Sequence, residues 1–185
     1  MLAYALWQAP QRDEAIRVLR RLIERFPANA DAWFNLGNFY RAERRMDDAV
    51  AAFKRARELQ PANAAAHVNS VYALVQAARF EEAEAAVHAS LQRFPDEPDL
   101  LVNLAQIQRA THRLAEALTT LERCVDLAPQ HAGYRVTRAL ARLELGDAAL
   151  ALAELDAVIA EQPEFRDAHL ARAQLFLAQR QYAAG

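Results

Sequence analysis

Five prolines recur every 34 residues, at Pro27, Pro61, Pro95, Pro129 and Pro163, and an alanine stands twelve residues before each: Ala15, Ala49, Ala83, Ala117 and Ala151. A fixed period of this length is the mark of stacked units, each too small to bury its own apolar face. Two helices fit one period, and proline ends the second because its ring and missing N–H cannot continue a helix. The recurring alanine marks a helix crossing too close for a larger side chain. The period overrides the usual expectation of one or two globular domains for 185 residues. It predicts a scaffold that holds something else rather than a reactive centre.

Bulk properties agree with a packed chain. With 54% hydrophobic and 25% charged residues there is enough apolar surface for a core. A net charge of −2 argues against nucleic acid as a partner, because phosphate binding needs a basic surface. Among 22 basic residues only Lys54 is lysine, which with the heavy alanine usage suggests a GC-rich bacterial coding sequence. Cys124 is the sole cysteine, so no internal disulfide can form. It stands where other periods carry Leu22, Ala56, Ser90 and Val158, and reads as a small packed residue. No apolar run approaches the ~20 residues of a membrane span, so no membrane partner is expected. Met1–Ala9 lacks a basic leader region and reads as the tail of a helix whose beginning is missing. A cytoplasmic location is expected.

With Ala30 as position 1, Trp33, Leu36, Gly37 and Tyr40 fall at positions 4, 7, 8 and 11, followed by Ala49 at 20, Phe53 at 24, Ala56 at 27 and Pro61 at 32. Positions 4, 7, 8 and 11 line one face of a first helix, and 20, 24 and 27 the facing stripe of a second. This pattern resembles the tetratricopeptide repeat family over the whole chain. The resemblance implies an all-α fold, a right-handed superhelical solenoid of antiparallel helix hairpins. It also implies a single array over 1–185: a partial repeat at 1–29, complete repeats at 30–63, 64–97, 98–131 and 132–165, and a partial repeat at 166–185. First helices are predicted near 30–43, 64–77, 98–111, 132–145 and 166–179, and second helices near 12–25, 46–59, 80–93, 114–127 and 148–161. Gly146-Asp147 is expected to supply a turn and an N-cap. Arg44-Arg45 and His112-Arg113 would do the same less cleanly.

In this family the first helices line a concave groove through positions 2, 5, 6, 9, 12 and 13. Position 6 here reads Asn35, Asn69 and Asn103, then Thr137 and Ala171. An amide donates and accepts, so a column of them can hold an extended peptide backbone whatever its side chains. Such a column is similar to the one in the repeat domain of the protein O-linked N-acetylglucosamine transferases. The competing reading is that these asparagines help neighbouring repeats pack. Phe34 at position 5, Asn38, Tyr72 and Gln106 at position 9, and Arg41 and Arg109 at position 12 complete the expected peptide-binding set, the arginines offering isolated charge. Every position 5 is apolar, which argues against the carboxylate-gripping mode of co-chaperone modules.

Arg135, Arg138 and Arg142 share one helix face that should be buried. Their stems are expected to pack while the guanidiniums reach solvent or an acid such as Glu154; the alternative is a basic stripe for an acidic or phosphorylated partner. The five histidines lie at least 19 residues apart, without metal-ligand spacing, and His67 and His169 occupy the Trp33 position as packing residues. Asp47-Asp48 and Glu81-Glu82 open second helices, where acids complement the helix dipole. No catalytic, cofactor or metal site is expected.

The leading expectation is thus a non-catalytic scaffold for a protein or peptide partner. The alternative is the substrate-recruiting segment of a larger bacterial glycosyltransferase or sulfotransferase. Both chain ends cut through a repeat, which suggests more protein beyond, or self-association through uncapped terminal repeats.

Overall fold

The computed structural model describes residues 12–183, so the reading of Met1–Ala9 lies outside the described residues. Ten helices and no strand occur among the described residues. They are α1 Arg12–Arg25, α2 Ala30–Ala42, α3 Met46–Leu59, α4 Ala64–Gln76, α5 Phe80–Arg93, α6 Pro98–Ala110, α7 Leu114–Leu127, α8 Ala132–Glu144, α9 Ala148–Glu161 and α10 Arg166–Ala183. The expected helices recur to within a residue at every boundary except the end of α10. The chain divides into two compact units, Met1–Asn103 and Leu104–Gly185, with the division inside α6.

The turns within hairpins share one construction. Arg44, Ala78, His112 and Gly146 all adopt positive φ, at 58°, 55°, 62° and 91°. At each, the left-handed residue's N–H reaches back three residues and the next N–H reaches back five, as in Arg44 to the Arg41 carbonyl and Arg45 to the Tyr40 carbonyl. This double bond pattern satisfies the orphan carbonyls of the first helix and reverses the chain. Only Gly146 has the residue type the conformation prefers. Asp147 does occupy the N-cap position of α9, but its side chain makes no capping bond, correcting the expected role.

Caps appear instead at the start of first helices. The Asn29 side chain accepts from the Ala32 N–H at 2.9 Å and Asn63 from Ala66 at 3.3 Å. At three of the first helices position 4 then ties the helix to the proline before it. Trp33 Nε1 donates to the Pro27 carbonyl at 3.0 Å, and the Nε2 of His67 and His169 lies 3.1 and 2.7 Å from the Pro61 and Pro163 carbonyls. Proline cannot donate, but its carbonyl is left open by the broken helix, and an indole or imidazole N–H at this spacing closes it.

The five periodic alanines are all fully buried, at 0% exposure. Gly37 and Phe53 show the fit at a hairpin contact: a Cβ on Gly37 would stand 2.6 Å from the Phe53 ring. Elsewhere position 8 carries Ala105 or Ala139, and position 24 the smaller Leu121 or Leu155. In the second unit, Val136, Ala139, Leu155, Val158 and Leu175 belong to one core joining α8, α9 and α10. Cys124 is buried, as its aligned neighbours implied.

Candidate functional site

In the first unit Arg41, at position 12 of α2, reaches across to α4. Its Nη1 donates to Asn69 Oδ1 at 3.0 Å, and its guanidinium carbon lies 5.6 Å from the Tyr72 ring centroid. Asn69 spends its own amide hydrogens on the Ala65 carbonyl at 2.9 Å, which fixes the orientation of its oxygen toward Arg41. Beside this group lies an open recess of about 550 Å³, bounded by Arg41, Ala42, Arg44, Met46, Tyr72 and Gln76. Packing on Tyr72 and the bond to Asn69 hold the guanidinium in place without neutralising it.

The three asparagines are not alike. Asn35 is exposed, and no described residue bonds its amide. Asn69 is half-buried and committed at both ends. Asn103 is 3% exposed, and its Nδ2 donates to the Val68 carbonyl of the preceding first helix at 3.2 Å. Packing between repeats therefore uses Asn103, while Asn35 is the amide displayed to solvent. Phe34 packs edge-on against Phe53 with centroids 5.6 Å apart, and Asn38 is half-buried.

Gln106 and Arg109 belong to the second unit. Arg109 does not offer isolated charge: it forms a two-armed ion pair with Glu144, with Nε 2.9 Å from Oε2. The pairing was hidden because Glu144 sits one period and one residue away. Arg135, Arg138 and Arg142 follow the packing expectation. Glu154, 8% exposed, accepts from both Arg138 and Arg142, and Arg135 pairs with Glu161. The hydrogen bond from Arg135 holds the Glu161 carboxyl below its usual value. Arg44 and Gln76 were missed by the sequence reading. Gln76 stands at position 13, one of the expected groove positions, so the register signalled it; Arg44, at position 15 in the turn, had no such signal.

A second recess of about 310 Å³, lined mainly by apolar atoms, lies among α1, α2 and α3 and includes Trp33, Leu36 and Tyr40. Arg20 closes part of it by donating to the Tyr40 hydroxyl from Nε at 3.0 Å and Nη2 at 2.8 Å. Among the described residues no three His, Cys, Asp or Glu side chains cluster so as to hold a metal ion. No described helix is long and apolar enough to cross a membrane.

Comparison with known sequences matches tetratricopeptide repeats at residues 1–64 and 69–132, with further matches at 107–176 and 40–91. The chain belongs to the tetratricopeptide repeat family. No curated protein sequence matches it. Among solved structures, a thermophilic TPR protein of Thermus thermophilus, TTC0263, superposes with a TM-score of 0.79 at 17% identity, covering 95% of this chain and 96% of that one. MamA from Desulfovibrio magneticus, solved from residue 41 to its end, gives 0.74 at 16% identity, covering 89% and 93%. YrrB, described as a TPR protein with an unusual peptide-binding site, gives 0.66 at 19% identity, covering 92% and 88%. At these identities the likeness is one of fold: an all-α TPR solenoid of helix hairpins.

Proposed function

We propose that this TPR protein is a non-catalytic scaffold whose first helices bind an extended peptide or protein segment, with the binding face in the Met1–Asn103 unit. The observation that carries the reading is the combination on α2 and α4 of an exposed, unbonded Asn35 amide with the fixed Arg41–Asn69–Tyr72 group beside an open recess. Amides and an aromatic face suit a peptide backbone and its flanking side chains. The description of YrrB as a peptide binder on a similar fold supports the same direction. The likeness to the asparagine column of O-linked N-acetylglucosamine transferases narrows here to Asn35, with Asn69 orienting Arg41 and Asn103 joining repeats.

Selection of binders from a random dodecapeptide library, followed by titration of the strongest, tests this. Replacing Asn35 and Asn38 together by alanine should weaken binding by about ten-fold, since each lost backbone hydrogen bond is worth roughly 0.5–1.5 kcal/mol. Unchanged affinity in that variant would remove the groove reading.

A further inference from the structure

Position 12 carries arginine twice on these first helices, and the two copies meet different neighbours. Arg109 faces the next first helix, α8, whose position 13 is Glu144, and the two close as an ion pair. Arg41 faces α4, whose position 13 is Gln76, and no described carboxylate reaches it. The fold thus shows what an arginine at this register takes when an acid is supplied, and omits the acid in the first unit.

A second arginine lines the same recess. Arg44 stands on the left-handed turn after α2, exposed and without a carboxylate partner among the described residues. Asp47 and Asp48 on α3 are engaged elsewhere, Asp47 by Arg79 at 3.1 Å and Asp48 by Arg45 at 2.6 Å. Two arginines with no ion-pair partner among the described residues therefore line a recess large enough for a side chain, in a molecule whose net charge is −2. An anion seated in that recess would meet positive charge from both arginines, which lowers its energy.

We propose that Arg41 and Arg44 form a seat for a carboxylate of an acidic peptide, filling the place that Glu144 fills for Arg109. The proposal rests on the groove reading above and gives its ligand a chemistry: an acidic residue at the α2–α4 rim. Arg41 supplies the oriented fork, held by Asn69 and Tyr72, and Arg44 the exposed second charge.

The test uses the full chain and two fluorescein-labelled, C-terminally amidated probes, hexaglutamate and hexaglutamine. Hexaglutamate should bind about ten-fold or more tightly than hexaglutamine, the scale expected for two charge-assisted contacts at a half-exposed site. Gln76→Glu, which supplies an internal acid, should bring hexaglutamate down to the hexaglutamine level. The double change Arg41→Gln with Arg44→Gln should do the same, both variants keeping wild-type helicity. Equal binding of the two probes, or a Gln76→Glu variant that still prefers hexaglutamate, overturns the seat. If Gln76→Glu removes the preference while Asn35→Ala alters neither probe, the seat stands and the extended groove falls. If inorganic phosphate displaces hexaglutamate far better than chloride at equal ionic strength, the seat belongs to a phosphate and the carboxylate assignment is wrong.

Discussion

Arg41 and Arg109 occupy one register of the repeat, yet the first ends on an amide and an aromatic ring and the second on a carboxylate. The contrast extends beyond that pair. On the first helices of the Met1–Asn103 unit, Trp33 and His67 end on proline carbonyls and Arg41 on Asn69, all neutral partners. In the Leu104–Gly185 unit, Arg109, Arg135, Arg138, Arg142 and Arg172 all end on acids. The hairpin geometry delivers an arginine to its neighbour in both units. One residue on that neighbour, Gln76 or Glu144, decides whether a carboxylate is there to close the contact.

The closed unit is the easier to break. Glu154→Gln would leave Arg138 and Arg142, each less than one-fifth exposed, facing a neutral amide. Removing one member of a largely buried ion group costs roughly 3 kcal/mol, because the partners keep their desolvation without their attraction. Urea denaturation should show that loss. A change of less than about 1 kcal/mol would mean that water already shares those guanidiniums, and that the second unit is less closed than its distances suggest.

The first unit should be more sensitive to shape than to charge. Gly37→Ala puts a methyl 2.6 Å from the Phe53 ring, inside contact distance of a fully buried side chain. Overpacking of this kind costs about 1–3 kcal/mol. Adding Phe53→Leu recreates the alanine–leucine pairing that the second unit uses at Ala139 and Leu155, so the double variant should be less destabilised than the sum of the two changes. Strict additivity would show that the two residues are not coupled.

What the sequence made legible follows the same division between local and neighbouring contacts. The buried alanines, the helix limits and the position-4 packing residues depend on one hairpin, whose rules repeat every 34 residues. The partners of Asn103 and Arg109 lie one residue beyond a full period, at Val68 and Glu144, so they depend on how neighbouring first helices abut. No periodic pattern encodes that. The turns at Arg44-Arg45 and His112-Arg113 were placed from the sequence, but the positive φ of Arg44, Ala78 and His112 is a conformation that their residue types do not advertise. The fold was therefore readable in detail, and the candidate site only as a set of rim positions whose pairing had to be seen.

Those turns give a smaller effect with opposite signs in the two units. Gly146→Ala should lower stability by about 1 kcal/mol, the strain of a Cβ at positive φ, with nothing within 4 Å to add a clash. Ala78→Gly should raise it by a similar or slightly smaller amount, because strain relief is partly offset by the freer unfolded chain. Thermal midpoints moving in the same direction would show that the turns, despite matching hydrogen bonds, are not equivalent.

His67 yields the smallest effect and the closest test of neutral partnering in the first unit. Its Nε2 lies 3.1 Å from the Pro61 carbonyl and its Nδ1 2.9 Å from the Ser90 hydroxyl oxygen, while that hydroxyl also reaches the Ala86 carbonyl at 2.7 Å. A charged imidazolium could donate at both nitrogens and leave the Ser90 hydrogen to Ala86. A neutral ring makes Ser90 choose between Nδ1 and Ala86. Burial opposes the charge most strongly, Arg57 and Arg93 add to that, and only the Pro61 bond favours it, so the pKa falls below the ordinary 6.5. Between that lowered value and 6.5 the unfolded chain binds more protons than the folded one, so stability rises with pH across the window and is fully present above it. His67→Phe should remove that part of the acid sensitivity, seen as a smaller difference in urea midpoint between about pH 5 and pH 7.5 than in the wild type. A wild-type protein that instead gains stability on acidification relative to His67→Phe would show that the two donated hydrogen bonds outweigh burial, and that even this neutral contact is held by charge.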